Sequence, residues 1–411
     1  MTEALIIDAC RSPRGIGKPG KGALSGIHPQ QLGATVLSAL AKRNNLDTAD
    51  IDDIVWGTSS QRGPQGNDIG RMAALDAGYD IRSSAMTLDR FCGSGITAVN
   101  LAAASIMSGM EDVVVAGGVE MMSLNAEMDI PPFMDNGNLR LRAVHPQPHQ
   151  GVCADAIATL EDIPRDALDA LALVSQQRAA NAIENGYFDK SLTPVYRDDG
   201  TLALERDEYP RPSTTLDTLG SLKPAFEAFA DYSFDDSGAT YRSLVTQAYP
   251  DLDINHVHHA GNSSGVVDGA AALLLMSPKY AEEKGYSPRA KIVAMANMGD
   301  SPTLMLNAPV PAARKVLKKA GLTLDDIDLF EINEAFAVVA EKFIRDLDLD
   351  RDKVNVNGGS IALGHPIGAT GSILIGTLLD ELERRDLKRG LVTMCAAGGM
   401  APAVIIERVV H

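Results

Sequence analysis

Two parts of this chain repeat one another at a fixed spacing, and nothing else in the sequence constrains the fold as tightly. Leu46, Asp50, Ile51 and Asp52 recur as Leu322, Asp326, Ile327 and Asp328, each 276 positions on (322 less 46), and the same step carries Gly95 onto Gly371. The patterns around these anchors agree. A strand-like run, ALIIDAC, precedes a helical LGATVLSALAKRNNL and a short strand, IDDIVWG; in the last third, AKIVAMANM, PAARKVLKKAGL and IDLFEI follow in the same order. Each series continues into a loop that opens a long small-residue helix, CGSGITAVNLAAASIMSG or GATGSILIGTLLDELERR, and then into a β-rich run ending in Gly-Gly. Two such units predict an α/β chain with a duplicated fold: two βα core halves related by a pseudo-two-fold axis, with a loop domain inserted between them. The helices that start at Cys92 and near Gly368 are expected to meet at the centre, because Ala98, Ala102, Gly368, Gly371 and Gly376 allow close approach. The plainer alternative is two ordinary βα patterns that share a register by coincidence.

The division this suggests is an N-terminal core half over 1–124, a lid-like region over 125–288 that completes that half and binds ligand, and a C-terminal core half over 289–411. The middle region holds the loop-rich IPPFMDNGNLRLRAVHPQPHQG and DEYPRPSTTLDTLGSLKPAF, the amphipathic helix RDALDALALVSQQRAANAIENG and a buried strand in AAALLLMS. An insertion of this size is expected to cover the mouth of a site.

Composition narrows the function. The chain has 411 residues, 45% of them hydrophobic and 22% charged, enough for core-sized halves. No uninterrupted apolar run approaches the roughly 20 residues needed to span a bilayer, and MTEALIIDACRSPRG turns polar before a signal-peptide core could form. A soluble, cytoplasmic protein without membrane insertion is the expectation. A formal charge of −17 disfavours nucleic acid, whose phosphates call for a basic surface. The cysteines Cys10, Cys92, Cys153 and Cys395 fit free thiols in a reducing compartment better than a disulfide framework.

Two of these cysteines and one histidine carry the chemistry. Cys92, in DRFCGSG, stands where a strand gives way to a helix, so unpaired N–H groups and the helix dipole are expected to favour its thiolate. The glycines beside it admit a reacting carbonyl. His365, in the Gly-rich NGGSIALGHPIGATG, occupies the loop of the second half equivalent to that of Cys92, where it can take a proton from a thiol; an exposed loop histidine is the alternative. Cys395 ends a strand at another Gly-rich turn and suits proton exchange at a carbon, against the alternative of an ordinary buried cysteine. Asn333, in FEINEAFA, can hold a water against an enolate oxygen or simply cap a helix with Glu334. His256, His258 and His259 invite a metal reading, but no carboxylate or cysteine nearby in sequence completes a site, and no metal is expected.

Together these segments resemble the thiolase family over nearly the whole chain. DRFCGSG, GGVEMMS (117–123), AGNSSGVVDGAA from Ala260, NEAF, GHPIGATG and a final Cys followed by glycines occur in the family's order. The resemblance implies ping-pong acyl transfer, with Cys92 carrying the acyl group, His365 activating it and, with a water on Asn333, forming one oxyanion site. Cys395 would be the acid/base, and the N–H groups of Cys92 and Ala397 a second oxyanion site. By the same matching, Ser264 and His149 border the pantetheine arm, while Arg211 and Thr218 lie near the nucleotide. It further implies acyl-CoA and CoA as substrates with no tightly bound cofactor, and a homodimer or homotetramer.

The chain departs from the family in Ala397 for a usual glycine, in MLNAP with Leu306 and Ala308 for glycines near the acyl pocket, in Gln150 for a usual Met, and in some 30 extra residues between Phe226 and Ala260. The altered acyl loop favours thiolysis of 3-ketoacyl-CoA, as in fatty acid β-oxidation, over acetoacetyl-CoA formation. A ketosynthase lacks the second catalytic Cys, and a lipid-binding relative without activity would not keep Cys92, His365 and Cys395.

Overall fold

In a computed structural model, which describes residues 2–128, 133–233 and 235–410, the two series of elements follow the same path. The first runs β1 (Leu5–Arg11), α1 (Pro29–Arg43), β2 (Asp53–Gly57), β3 (Met86–Leu88), α2 (Ser94–Ser108) and β4 (Val113–Met121). After the inserted region, with α3 (Gln150–Leu160) and α4 (Arg165–Glu184), the chain returns as β5 (Val267–Met276) to complete that half. The second series runs β6 (Ala290–Gly299), α5 (Pro309–Ala320), β7 (Leu329–Ile332), α6 (Ala337–Asp346), α7 (Ile367–Arg384), β8 (Arg389–Thr393) and β9 (Met400–Arg408). The helix signals are local: α1 and α5 each begin with Pro and end with basic residues in the last turn, and Gly321 closes α5 at φ +66°.

The strands form one sheet in the order β7-β8-β9-β6-β1-β5-β4-β2-β3, with Gly15–Ile16 pairing β5 beside it. The order reads the same outward from the β6–β1 junction, where Leu5 pairs with Lys291 and Ile6 with Ala290. Each half has two antiparallel pairings and then a parallel one, β4 with β2 and β8 with β7. A clamp repeats with the same step as the sequence. Asp52 Oδ2 accepts the N–H groups of Asp112 and Val113 at 2.8 and 2.9 Å, and Asp328 Oδ2 those of Lys388 and Arg389 at 2.8 Å each. Adding 276 to each residue of the first clamp yields the second.

Helices α2 and α7 lie side by side between the half-sheets, each touching strands of both. Residues Gly368 to Leu382 of α7 are buried without a break, as expected of a helix with no solvent face. The predicted close approach is made by the repeat-related glycines: a Cβ on Gly95 would lie 2.6 Å from Ser372 N, and one on Gly371 2.2 Å from Ile96 N. Helix α1 covers the first half from outside, and α5 and α6 the second. Covered on both faces, β4 and β5 are buried at every position, which is why VVVAGG and AAALLLM read as continuous apolar runs. One helical stretch, Phe91–Ser108, is long and apolar enough to cross a membrane by length and composition, and 61% of it is buried inside the fold.

In the inserted region, α4 forms where the amphipathic pattern predicts it. The loop-rich reading of 130–151 is described from Phe133 onward; 129–132 lie outside the described residues. The histidine group corrects one expectation. A carboxylate does reach it: Asp155, about 100 positions away in sequence, accepts from His256 Nδ1 and His258 Nδ1 at 2.7 Å each, so these two rings share a face as strand alternation suggests. His259 Nε2 bonds Asp169 at 2.8 Å, and Ala225 N donates to His258 O at 2.8 Å. Carboxylates thus pin the long segment before Ala260 to α3 and α4.

Candidate active site

Between β3 and α2 the chain makes a strained elbow. Asp89 accepts the Phe91 N–H at 2.6 Å, Ser94 Oγ accepts that of Arg90 at 2.9 Å, and Phe91 is left-handed at φ +48°. Cys92 follows, on the wall of a cavity of about 540 Å³. Gly93 has no room for a side chain, since a Cβ there would lie 2.8 Å from Pro402 and 3.4 Å from Ala396, so the Cys92 loop rests directly on the Cys395 loop. The expected thiolate is not the resting state: burial, and then the carboxylate of Glu120, push the Cys92 thiol up to about 12. Desolvation and a buried negative charge outweigh the helix terminus.

His365 is not an exposed loop residue but is buried. Its Nδ1 lies 2.6 Å from Thr370 Oγ1, whose hydroxyl donates to Pro366 O at 3.0 Å. With the hydroxyl proton committed, His365 carries its own proton on Nδ1, and Nε2 is left as the base, 3.5 Å from Asn333 Nδ2. Burial, and then the nearby Arg14, bring the imidazole down to about 4, so it is neutral at physiological pH. Asn333 is oriented by Ser360, whose Oγ donates to Asn333 Oδ1 at 2.5 Å. Its alternative reading as a helix cap does not hold: β7 ends at Ile332, and α6 begins at Ala337 with Phe336 as cap. Glu334 instead accepts from Ser175, Asn355 and Ile361 N, which braces the Gly359 loop behind Asn333.

Cys395 is buried, and burial, followed by the neighbouring Cys92 sulfur, raises its thiol well above the ordinary value. It precedes a tight turn in which Ala396 and Met400 exchange backbone bonds at 2.7 and 3.1 Å and Gly398 and Gly399 sit at φ +79° and +76°. Ala397, at the start of that turn, lines the same cavity as Cys92.

The remaining candidates separate. His149 lines the cavity and, half-buried against Phe226 and Tyr241, is brought down to about 4 by desolvation. Gln150 lines it too, beside Met305 at φ +62°. Ser264 is off the wall, in a loop stitched to the site: Ser264 N donates to Ala335 O, Gly265 N to Ser360 O and His365 N to Gly265 O. Arg211 and Thr218 are exposed and are not on the cavity wall; Arg211 stacks over Tyr209, and Thr218 forms a capping box with Thr215. Sequence reasoning missed two groups. Glu120, a lone charge inside VVVAGGVEMM, stands behind the cavity, and Arg14 stands behind His365. A charge inside a wholly apolar strand was the available signal for the first.

The N-terminal thiolase domain model matches residues 4–230 and the C-terminal thiolase domain model residues 286–408. An acetyl-CoA acetyltransferase of Syntrophomonas wolfei subsp. wolfei is 38% identical over 98% of this chain and 99% of its own length. A 3-ketoacyl-CoA thiolase of Cronobacter sakazakii is 39% identical over the whole of both. The crystal structure of the Bacillus anthracis acetyl-CoA acetyltransferase superposes with a TM-score of 0.84 at 35% identity, covering 100% of this chain and 99% of that one.

Proposed function

Because this chain belongs to the thiolase family, matched along both of that family's domains, we propose that it catalyses CoA-dependent thiolytic cleavage of a 3-ketoacyl-CoA through an acyl thioester on Cys92. The chain is an acyltransferase, as are the relatives named for both directions of this chemistry. One observation carries the reading: Cys92 and the Ala397 turn share the wall of a cavity that also holds His149.

The steps follow from the residues. His365 Nε2 takes the Cys92 proton as the sulfur attacks the substrate's C3 carbonyl, whose oxygen is met by the Cys92 and Ala397 N–H groups. The C2–C3 bond breaks, its electron pair forms the enolate of acetyl-CoA, and Cys395 protonates C2. Free CoA then attacks the Cys92 thioester, its thiol proton returning to Cys395; the C–S bond to Cys92 breaks, the sulfur takes its proton back from His365, and the shortened acyl-CoA departs. Asn333 and His365 bear on the enolate oxygen. His149 and Ser264 border the pantetheine arm, and Arg211 and Thr218, exposed and off the cavity wall, meet the nucleotide.

The reaction runs backward on the same groups, and acetoacetyl-CoA formation is the second reading, favoured by the relatives named acetyl-CoA acetyltransferase. The methionines that line the cavity, Met122, Met128, Met134 and Met305, favour a longer acyl chain, since unbranched thioether side chains adapt to varied apolar shapes. A cytoplasmic homodimer or homotetramer acting in fatty acid β-oxidation, with 125–288 as lid and CoA-binding region between core halves 1–124 and 289–411, completes the reading. Intact-mass analysis after incubation with a 3-ketoacyl-CoA is expected to show an acyl adduct on Cys92, and thiolysis is expected to be faster with longer or ring-bearing 3-ketoacyl-CoAs than with acetoacetyl-CoA. No adduct on wild type would refute the acyl-enzyme, and a preference for acetoacetyl-CoA would favour the second reading.

A further inference from the structure

Two buried charges stand behind the reacting pair. The Glu120 carboxylate accepts the N–H groups of Ser59, Ser60 and Gly368 at 3.0, 3.1 and 2.9 Å, and the side-chain amides of Asn125 and Gln65 at 3.4 and 3.5 Å. Burial raises this carboxyl's pKa, but five donors surround it, so an added proton would point at other protons, and these bonds favour the carboxylate. Ser59, Ser60 and Asn125 all line the Cys92 cavity, and Gly368 opens the helix that follows His365, so one carboxylate holds wall segments from both halves. On the other side, Arg14 donates to Gly364 O, the carbonyl just before His365, at 3.4 Å. Asp207 fixes it there, accepting from Arg14 N at 2.9 Å while Arg11 forms a two-bond pair with the same carboxylate at 2.8 Å. Two guanidiniums on one carboxylate leave a net positive charge beside the imidazole.

We propose that Glu120 and Arg14 are positioning residues for acyl transfer: both brace the segment that carries His365, through Gly368 N and Gly364 O, and Glu120 also holds Ser59 and Ser60 on the wall of the Cys92 cavity. Their charges stand in the order that disfavours a resting Cys92 thiolate with a His365 imidazolium. The anion's charge bears on the Cys92 sulfur and the cation's on the His365 ring, the reverse of what an ion pair needs. The resting pair is a neutral thiol and a neutral imidazole, and proton transfer waits for a substrate carbonyl to take the developing charge.

The other groups facing the pair do not reverse this. Asp89 adds negative charge near Cys92, and Cys395 is a protonated thiol. His365 bonds to the neutral Thr370 and Asn333, and Arg14, tied with Arg11 to Asp207, is the charge that bears on it. Glu331, near Arg14, is pushed well above the carboxylate range by burial and by Glu334 and Glu381, which disfavours a charge there.

The proposal rests on the thiolase reading, but its test reads the resting enzyme. In the wild-type full-length protein, alkylation of Cys92 by iodoacetamide, followed by mass spectrometry across pH, is expected to keep rising past the free-thiol value of about 8.5, with no plateau at low pH. Glu120→Gln is expected to lower that midpoint by on the order of one pH unit. Arg14→Gln is expected to move the acid limb of kcat/KM upward towards about 6.5, and Arg14→Lys to restore it. A wild-type reactivity plateau below pH 7 overturns the proposal. So do variant profiles that superimpose on wild type whatever rate is lost, which would mark the two groups as merely structural. If neither variant folds, the wild-type alkylation profile decides alone. Failure of the thiolase reading would show instead as a missing acyl adduct with alkylation unaffected.

Discussion

The contact between Gly95 and Gly371 can be tested by adding one methyl group. A Cβ on Gly371 would fall 2.2 Å from Ile96 N and 2.8 Å from Ile96 Cγ1, about 1.2 Å short of an ordinary 3.4 Å contact, and the nearer atom is backbone that cannot rotate away. Gly371→Ala must therefore part α2 from α7. Overpacking of this kind costs about 1–3 kcal/mol, and alanine's helix propensity returns about 1 kcal/mol. The parting moves the start of α2, and Cys92 with it, so kcat is expected to fall along with stability. Gly376 is the control: it lies in the same helix, but its Cβ would meet only Ala9 Cβ, at 3.2 Å. Gly376→Ala is expected to be neutral or stabilising by up to about 1 kcal/mol. Urea unfolding followed by circular dichroism, at one protein concentration so that any oligomer contributes equally, would place the two variants on opposite sides of wild type. A G371A protein as stable and active as G376A would refute the close-packed seam.

Further outcomes follow from the site and its supports. Asp207→Asn leaves Arg11 and Arg14 buried without their carboxylate and is expected to cost about 3–5 kcal/mol near neutrality. Despite burial, Arg11 and then Arg14 hold Asp207 down to about 2, so wild type's advantage should be whole above the ordinary 3.8 and shrink as pH falls through 2; a urea-midpoint difference that stays flat to low pH would contradict this. His365→Asn should lower kcat/KM by about 10²- to 10⁴-fold while Cys92 remains open to alkylation, which steady-state kinetics and peptide mapping can check. Asp52→Ala and Asp328→Ala each remove an acceptor shared by two N–H groups and should each cost about 1–3 kcal/mol. A large effect at one clamp and none at the other in urea unfolding would count against equivalent halves.

What could be read in advance, and what could not, divides by the range of the interaction. Strand and helix limits depend on neighbours a few residues away, so ALIIDAC, IDDIVWG and PAARKVLKKAGL fold as their patterns indicate. The repeat conveyed long-range order because two copies of one local pattern must meet in equivalent ways, and Gly95 and Gly371 do meet. Pairings with no repeat to announce them stayed hidden: Asp207 with Arg14 across 193 positions, and Asp155 with His256 across 101. The Cys92 thiol went wrong for the same reason. Its local setting, a loop entering a helix, favours a thiolate; its actual surroundings include Glu120, on β4 beyond the far end of α2.

The proposed reacting groups also belong to different halves, and this bears on why the duplication persists as one chain. Cys92 comes from the first half, while His365, Asn333, Cys395 and Ala397 come from the second. Glu120, on β4, reaches across to Gly368 at the start of α7, and Arg14, just after β1, reaches to Gly364. The first half thus supplies both supports for the second-half segment that carries His365. A shift of α7 along α2 would move His365 relative to Cys92, strip Gly368 N from Glu120 and drive Gly371 into Ile96 together. The tight glycine seam therefore helps to fix the separation of the proposed nucleophile and its proposed base.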